Sequence, residues 1–220
     1  MTKNPIFYTN TYKKIEAKVK YLLNDHEDFL STRIPRNVRE VGDTVETIIK
    51  ENFHKILGDL NIEYFVKPPR FMANFAFKTA DDYYHVIDII TYRTDTKFDL
   101  PNLISVERLS RFYEVDRNYF VLLLIRYSVE DISNKATHVQ FVPIEFLGWD
   151  CLAIDNIGWG EIQIANAKRI MVNPQYSRKE WMIELCNTLT KFYPREIAKI
   201  NDYIKHFEKT REFWLGKSNE

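Results

Sequence analysis

The sequence predicts an α/β or α+β domain, with a mixed β-sheet of about five strands flanked by helices and a helical C-terminal extension. Apolar residues recur at helical spacing at both ends of the chain, and short runs rich in β-branched and aromatic residues fill its middle. A further helical pattern separates two of those runs, as a crossover connection would. With 220 residues, 45% of them hydrophobic, the chain can bury a core as a single domain.

Residues 1–60 are predicted to be helical. Apolar residues at helical spacing over residues 12–23 predict a first helix, and the polar stretch 24–39 predicts a loop. Asp43 is followed three residues later by Glu46, which fits a capping box. A second helix is therefore predicted to open at Gly42 and Asp43.

Residues 61–145 are predicted to form the core sheet. A hairpin is expected from two apolar runs joined by a turn at residues 79–82. The polar stretch 92–100 predicts a loop, and Pro101 with Asn102 predicts the start of the crossover helix. Strands are predicted at residues 71–77, 83–90, 119–127, 138–142 and, beyond this core, 161–164.

Residues 146–175 are predicted to be a separate segment, and residues 176–220 to be C-terminal helices. Ser177 and Glu180 fit a second capping box, which predicts a helix start. Pro194 removes a backbone donor and is predicted to break this helix in two.

Composition excludes several classes of protein. The formal net charge is +0, so the total charge alone indicates no nucleic-acid partner, although a local basic face remains compatible with it. Two cysteines without metal-ligand spacing favour a reduced, cytoplasmic protein. No signal pattern or membrane span is predicted. A nucleotide cofactor and a zinc site are not expected, because no P-loop, dinucleotide-binding glycine pattern or zinc constellation is present.

Three stretches carry a family resemblance. In the first, Ile87-Asp88-Ile89-Ile90-Thr91 is followed, thirteen residues after Asp88, by Pro101-Asn102-Leu103-Ile104-Ser105. The second is Gly158-Trp159-Gly160-Glu161-Ile162-Gln163-Ile164, and the third is the helical region 177–214. In this order and spacing they resemble type II restriction endonucleases of the PD-(D/E)XK superfamily, in particular the group that includes HincII and HpaI and, more distantly, EcoRV.

The resemblance implies a homodimer that hydrolyses double-stranded DNA at a short palindromic site with Mg²⁺. It implies that Asp88 is a catalytic acid and metal ligand, and that the Ile89 carbonyl is a further metal ligand. Asn74 stands at the position of the first acid, and Ile90 at that of the lysine. Because neither side chain supplies the expected charge, we expect cleavage to be impaired or lost.

Two explanations of this departure stay open. The chain could be an inactivated form, or Glu46 could supply the missing acid while Lys78 or Lys97 supplies the missing cation. A helix cap is the structural alternative for Glu46, and a strand-end acid capping a turn is the alternative for Asp88.

The resemblance implies that two segments contact DNA, the region around Asn102 and a DNA-recognition segment at residues 146–175. Asn, Gln and Arg side chains in them can bind base edges. Solvated loops are the structural alternative for these segments, and a core position is the alternative for the tryptophan. A DNA-binding protein of the same fold without nuclease activity is the second functional hypothesis, and an interaction domain that binds no nucleic acid is the third. The candidates are Arg93, Lys97, Asn102, Ser105, Asn156, Trp159, Gly160 and Gln163.

Overall fold

The computed structural model describes residues 3–30, 38–67, 74–93, 101–130, 133–166 and 170–218. Its contacts divide the chain into two compact units, Met1–Ser177 and Arg178–Glu220. The mixed class of helices and strands predicted from the sequence is confirmed. The first unit contains the β-sheets, and the described part of the second is mainly one long helix.

Helices open the first unit, and strands follow them. The helices of the whole chain are α1 (Thr11–Asp25), α2 (Glu27–Leu30), α3 (Val38–Asp59), α4 (Val106–Phe112) and α5 (Arg178–Leu215). The strands are β1 (Tyr64–Lys67), β2 (Phe75–Thr79), β3 (Tyr84–Arg93), β4 (Asn102–Ser105), β5 (Asn118–Glu130), β6 (Ser133–Pro143), β7 (Leu152–Asp155) and β8 (Glu161–Ile164).

The larger sheet is mixed, with strand order β1-β2-β3-β5-β6. Strand β3 runs parallel to β5, and the other neighbouring pairs are antiparallel. The predicted hairpin is present in β2 and β3, where Phe75 pairs with Ile87 and Lys78 pairs with Tyr84. A parallel pair needs a crossover, and the connection from β3 to β5 contains β4 and α4.

A smaller antiparallel sheet has the order β4-β8-β7. Asn102 of β4 pairs with Gln163 of β8, and Leu152 of β7 pairs with Ile164. Ile162 and Ile164 are buried, whereas Gln163 between them is half-buried. This alternation gives the small sheet one apolar face and one polar face.

Aromatic contacts show which helix covers each face of the larger sheet. Phe53 of α3 packs against Phe77 of β2, and Phe77 stacks on His85 of β3 with 4.5 Å between ring centroids. On the other face, Tyr84 of β3 contacts Phe112 of α4. The sheet therefore lies between α3 and α4.

The segment before α1 belongs to the core. Phe7 is 1% exposed, and its ring contacts the rings of His85, Tyr119 and Phe141. The Asn4 amide nitrogen lies 2.8 Å from Nε2 of His85. These first residues show no helix or strand period, because the segment is short, and no structure was predicted for them.

The predicted start of the second helix was wrong. Helix α3 begins at Val38, so Asp43 and Glu46 lie inside it and form no capping box. Val41, 3% exposed, extends the buried face by a turn and favours the longer helix. Gly42 serves close packing, since a Cβ there would lie 3.1 Å from Oγ1 of Thr91.

Two predicted loops contain regular structure. Residues 27–30 form α2, whose Phe29 is fully buried, and β3 continues to Arg93 through pairing with β5. Residues 31–37 and 94–100 of those loops lie outside the described residues. The hairpin residues 71–73 also lie outside them.

Pro101 and Asn102 do not start a helix. Residues Asn102–Ser105 form β4, and α4 begins at Val106. Leu103 and Ile104 are both buried, and pairing with β8 outweighs the local helical pattern.

The predicted break at Pro194 was also wrong. Helix α5 is 38 residues long and continues through Pro194. Pro194 is exposed, so water can bond the carbonyl that loses its helical donor.

Candidate active site

The hairpin brings Asn74 beside the strand that carries Asp88. Phe75 pairs with Ile87, so Asn74 comes opposite Asp88. The Asn74 N–H donates to the Ile87 carbonyl at 3.0 Å, and the Ile89 N–H donates to Asn74 Oδ1 at 2.6 Å. The Asn74 side chain therefore continues the strand pairing. The N–H and C=O of one strand residue point the same way, so the Ile89 carbonyl also faces this side.

Asp88 is a half-buried carboxyl whose pKa is raised from 3.8 to about 7. Burial is the larger cause, and the negative charge of Glu46 is the second. Ile90, two residues further and on the same face, is 8% exposed. Ile90 therefore adds apolar surroundings where a lysine would lower the Asp88 pKa.

Glu46 approaches from α3. Its carboxylate forms an ion pair with Lys50, one turn further along the helix. Gly42 of α3 meets Thr91, and Thr91 lies on the face of β3 opposite to that of Asp88. The Glu46 charge thus acts on Asp88 across the strand, from the other face of the sheet. It is no helix cap, and its prediction as a catalytic acid stays a prediction.

The donor atoms suit a hard cation but are few. Asp88 offers a carboxylate, and Asn74 Oδ1 and the Ile89 carbonyl offer neutral oxygens, the donor types that Mg²⁺ accepts. Within the described ranges, no group of three or more His, Cys, Asp or Glu side chains converges on a metal position. Burial and the Glu46 charge make ionised Asp88 costly, and a divalent cation would relieve both effects. Mg²⁺ fits here only if water or phosphate completes its coordination.

Of the two lysines that could replace the missing one, the structure describes only Lys78. Lys78 forms an ion pair with Asp82 and pairs with Tyr84, four residues before Asp88 on β3. At about 3.3 Å per residue it is anchored about 13 Å from Asp88 along the strand. Lys97 lies outside the described residues.

The small sheet brings together two residues predicted to contact DNA. Gln163 Nε2 donates to Asn102 Oδ1 at 2.7 Å across the β4–β8 pair. Ser105, at the other end of β4, pairs with Glu161. Asn102 is exposed, while Gln163 and Ser105 are half-buried. The polar face thus presents a row of amide and hydroxyl groups.

The turn between β7 and β8 carries three further candidates. Trp159 is 62% exposed, so the alternative that it is a core residue was wrong. Asn156 is exposed, and its N–H donates to the Asp155 side chain at 2.8 Å. Gly160 has φ +112°, and a Cβ there would lie 2.8 Å from Cγ2 of Ile154. Glycine is required at this position by backbone conformation and by space.

Charges at the small sheet are mixed. Burial is the main cause that raises the Glu161 pKa, Arg108 opposes it, and Asp155 adds to it. Asp155 pairs with Glu161 across β7 and β8. This face therefore offers amides more than a continuous cationic surface. Arg93, at the end of β3, is half-buried and belongs to the larger sheet.

Lys50 and Arg108 were not among the residues predicted from the sequence. Lys50 follows Glu46 at the i,i+4 spacing that pairs charges on a helix, so the sequence contained its signal. Arg108 lies on α4, whose predicted start was several residues too early, and its charge lowers the pKa of Glu161. No local pattern in the sequence indicates this interaction.

Comparison with known proteins identifies no family for this chain. No protein-family model matches the chain, and no curated protein matches it. In the part of the chain that the structure describes, no helix is long and apolar enough to cross a membrane.

Proposed function

We propose that this protein acts on double-stranded DNA as a Mg²⁺-dependent nuclease of the restriction-endonuclease type, with cleavage impaired by Asn74 and Ile90. The observation that carries the proposal is the placement of Asn74 opposite Asp88 on neighbouring strands, with Asn74 Oδ1 accepting from the Ile89 N–H. Burial and the negative charge of Glu46 raise the pKa of the Asp88 carboxyl. A strongly perturbed carboxyl beside a polar partner on the next strand is typical of a functional site. The resemblance of the three sequence stretches to type II restriction endonucleases suggests the reaction class.

Asp88 would hold the metal, with Asn74 Oδ1 and the Ile89 carbonyl as neutral ligands. When bound, Mg²⁺ supplies charge for the phosphate and acidifies a water. Asp88 must be ionised for this role, and Glu46 favours a cation nearby by its charge. Ile90 supplies neither a proton nor a positive charge, which is why we propose slow cleavage.

The polar face of the small sheet would bind base edges. Asn102 and Gln163 are held together by one hydrogen bond and keep further donors and acceptors. Such amides can pair with adenine in the major groove. A homodimer with two-fold symmetry would bind a palindromic site.

A cleavage assay with Mg²⁺ or Mn²⁺ tests the catalytic part. The Asn74→Asp/Ile90→Lys double variant is expected to cleave plasmid DNA at least about a hundredfold faster than the unaltered chain. Adding Asp88→Asn to the double variant should abolish that gain. Equal rates for the unaltered chain and the double variant would contradict the proposed roles of residues 74 and 90.

The second candidate is a DNA-binding protein without nuclease activity. The near-complete burial of Ile90 beside Asp88 favours it, because an apolar neighbour opposes ionisation of the acid. Calorimetric titration with Mg²⁺ separates the two functions. The nuclease requires binding that Asp88→Asn removes, and the binding protein requires a salt-dependent DNA complex without metal uptake.

A further inference from the structure

Helix α5 exposes an apolar stripe with a repeat of 3.5 residues. The five apolar side chains of the stripe are between 51% and 67% exposed. Together with Arg211 they lie alternately three and four residues apart. This spacing is the a/d pattern of a coiled coil. We define the C-terminal stripe as Ile197, Ile200, Ile204, Phe207 and Trp214.

The C-terminal stripe is too apolar to be left in water without a cost. Burial of such side chains removes apolar area from water and so stabilises an interface. Two of its five members are aromatic, and large aromatic side chains bury about 150–250 Å² each, so the stripe supplies a substantial part of the roughly 800 Å² that each partner buries in a standard interface. The repeat also continues toward the start of α5 through Ile183 and Tyr193, both exposed.

The charges of α5 are nearly balanced, with eight Lys or Arg against six Asp or Glu, which favours a protein partner over an anionic membrane. Lys199 pairs with Glu196, and Lys205 pairs with Asp202, so neighbouring acids neutralise these cations. A surface helix that binds anionic lipid carries unpaired cations beside its apolar face. The self-complementary repeat fits a second α5.

Arg211 favours one orientation for a pair of α5 helices. It occupies an a position within the repeat. In a parallel, in-register pair, the two copies of Arg211 would face each other in the interface, where like charges repel. An antiparallel pair places Arg211 opposite Tyr193 of the second copy, where the aromatic ring is a suitable partner.

We propose that two copies of this protein associate through an antiparallel coiled coil of their α5 helices, with residues 197–207 of the C-terminal stripe at its centre. The proposal is independent of the nuclease hypothesis, because it uses α5 alone. It names the surface and the orientation by which a dimer would form.

Sedimentation equilibrium of the full chain tests the association. The unaltered chain is expected to have twice the mass of the monomer, and Phe207→Glu should weaken the dimer by about tenfold or more. Phe213→Glu is the matched control, because Phe213 is 58% exposed but lies about 120° around the helix from Phe207. Circular dichroism checks that both variants keep their helix content.

Distance measurement between spin labels tests the orientation. Cys186 is exposed, whereas Cys151 is buried with its pKa raised to about 11, so a thiol reagent at pH 7 labels Cys186. At 1.5 Å per residue, antiparallel helices place the two labels about 40–60 Å apart, and parallel helices place them within about 20 Å.

Three results would overturn the proposal. A monomer at about 100 µM, whether or not it binds anionic vesicles, excludes the dimer. Equal effects of the Phe207 and Phe213 substitutions exclude the stripe as the interface. A short distance between labels excludes the antiparallel orientation.

Discussion

Replacing Asp88 by Asn should stabilise the metal-free protein at pH 8 and leave its stability unchanged near pH 3. The Asp88 pKa moves from the ordinary value of 3.8 to about 7 on folding. Each pKa unit corresponds to about 1.4 kcal/mol, so ionised Asp88 costs the folded state about 4 kcal/mol. Asparagine has nearly the same shape and never carries this charge.

The sign follows from proton linkage. Because the folded pKa is the higher one, the folded state binds more protons than the unfolded state between pH 4 and pH 7. Ionisation of Asp88 therefore lowers the free energy of unfolding progressively as pH rises through this window, and the full loss of stability is present above pH 7. The benefit of Asp88→Asn should rise over the same window.

Urea unfolding at a series of pH values measures this difference. The control is Asp81→Asn, which removes an exposed carboxylate from the turn of the same hairpin. We expect about 4 kcal/mol for Asp88→Asn at pH 8, about half of that near pH 5.5, and less than about 1 kcal/mol for the control. A destabilised Asp88→Asn at pH 8, or a benefit independent of pH, would refute the reasoning.

Three further substitutions test separate contacts. Glu46→Gln should stabilise the metal-free protein at pH 8 by less than the Asp88 substitution, because burial remains the larger cause; the same urea titration measures it. Gly160→Ala should cost about 1–3 kcal/mol in thermal unfolding, since the positive φ and Ile154 both exclude a Cβ. Tyr113→Phe should cost about 1–3 kcal/mol in urea unfolding through loss of the 2.6 Å hydrogen bond to the buried Glu145 carboxyl, and an unchanged stability would contradict that role.

Local sequence patterns predicted the strands whose apolar residues form a continuous run or alternate clearly. The apolar run over residues 119–127 predicted β5, and the alternation over Glu161–Ile164 predicted β8. The hairpin of β2 and β3 followed from two such runs and a short turn. These elements form where local preference and tertiary packing agree.

The errors occur where a distant partner determines the local structure. Asn102 is in a strand because β8, some sixty residues later, pairs with it. Strand β7 shows no alternation of burial, because Leu152 is buried and the next three residues are all half-buried. Glu46 was a candidate only through the family resemblance, because its proximity to Asp88 depends on how α3 packs on the sheet and no spacing in the sequence contains that information.

The buried position of Phe7 has a consequence for folding during synthesis. The ring of Phe146 is also among its contacts, so its pocket cannot be complete until that residue has left the ribosome. Until then, Phe7 and Ile6 must remain exposed or in provisional contacts. Contacts between residues so distant in the chain slow folding, because loop closure must precede them. We therefore expect the final packing step to bring the earliest part of the chain onto a sheet made much later.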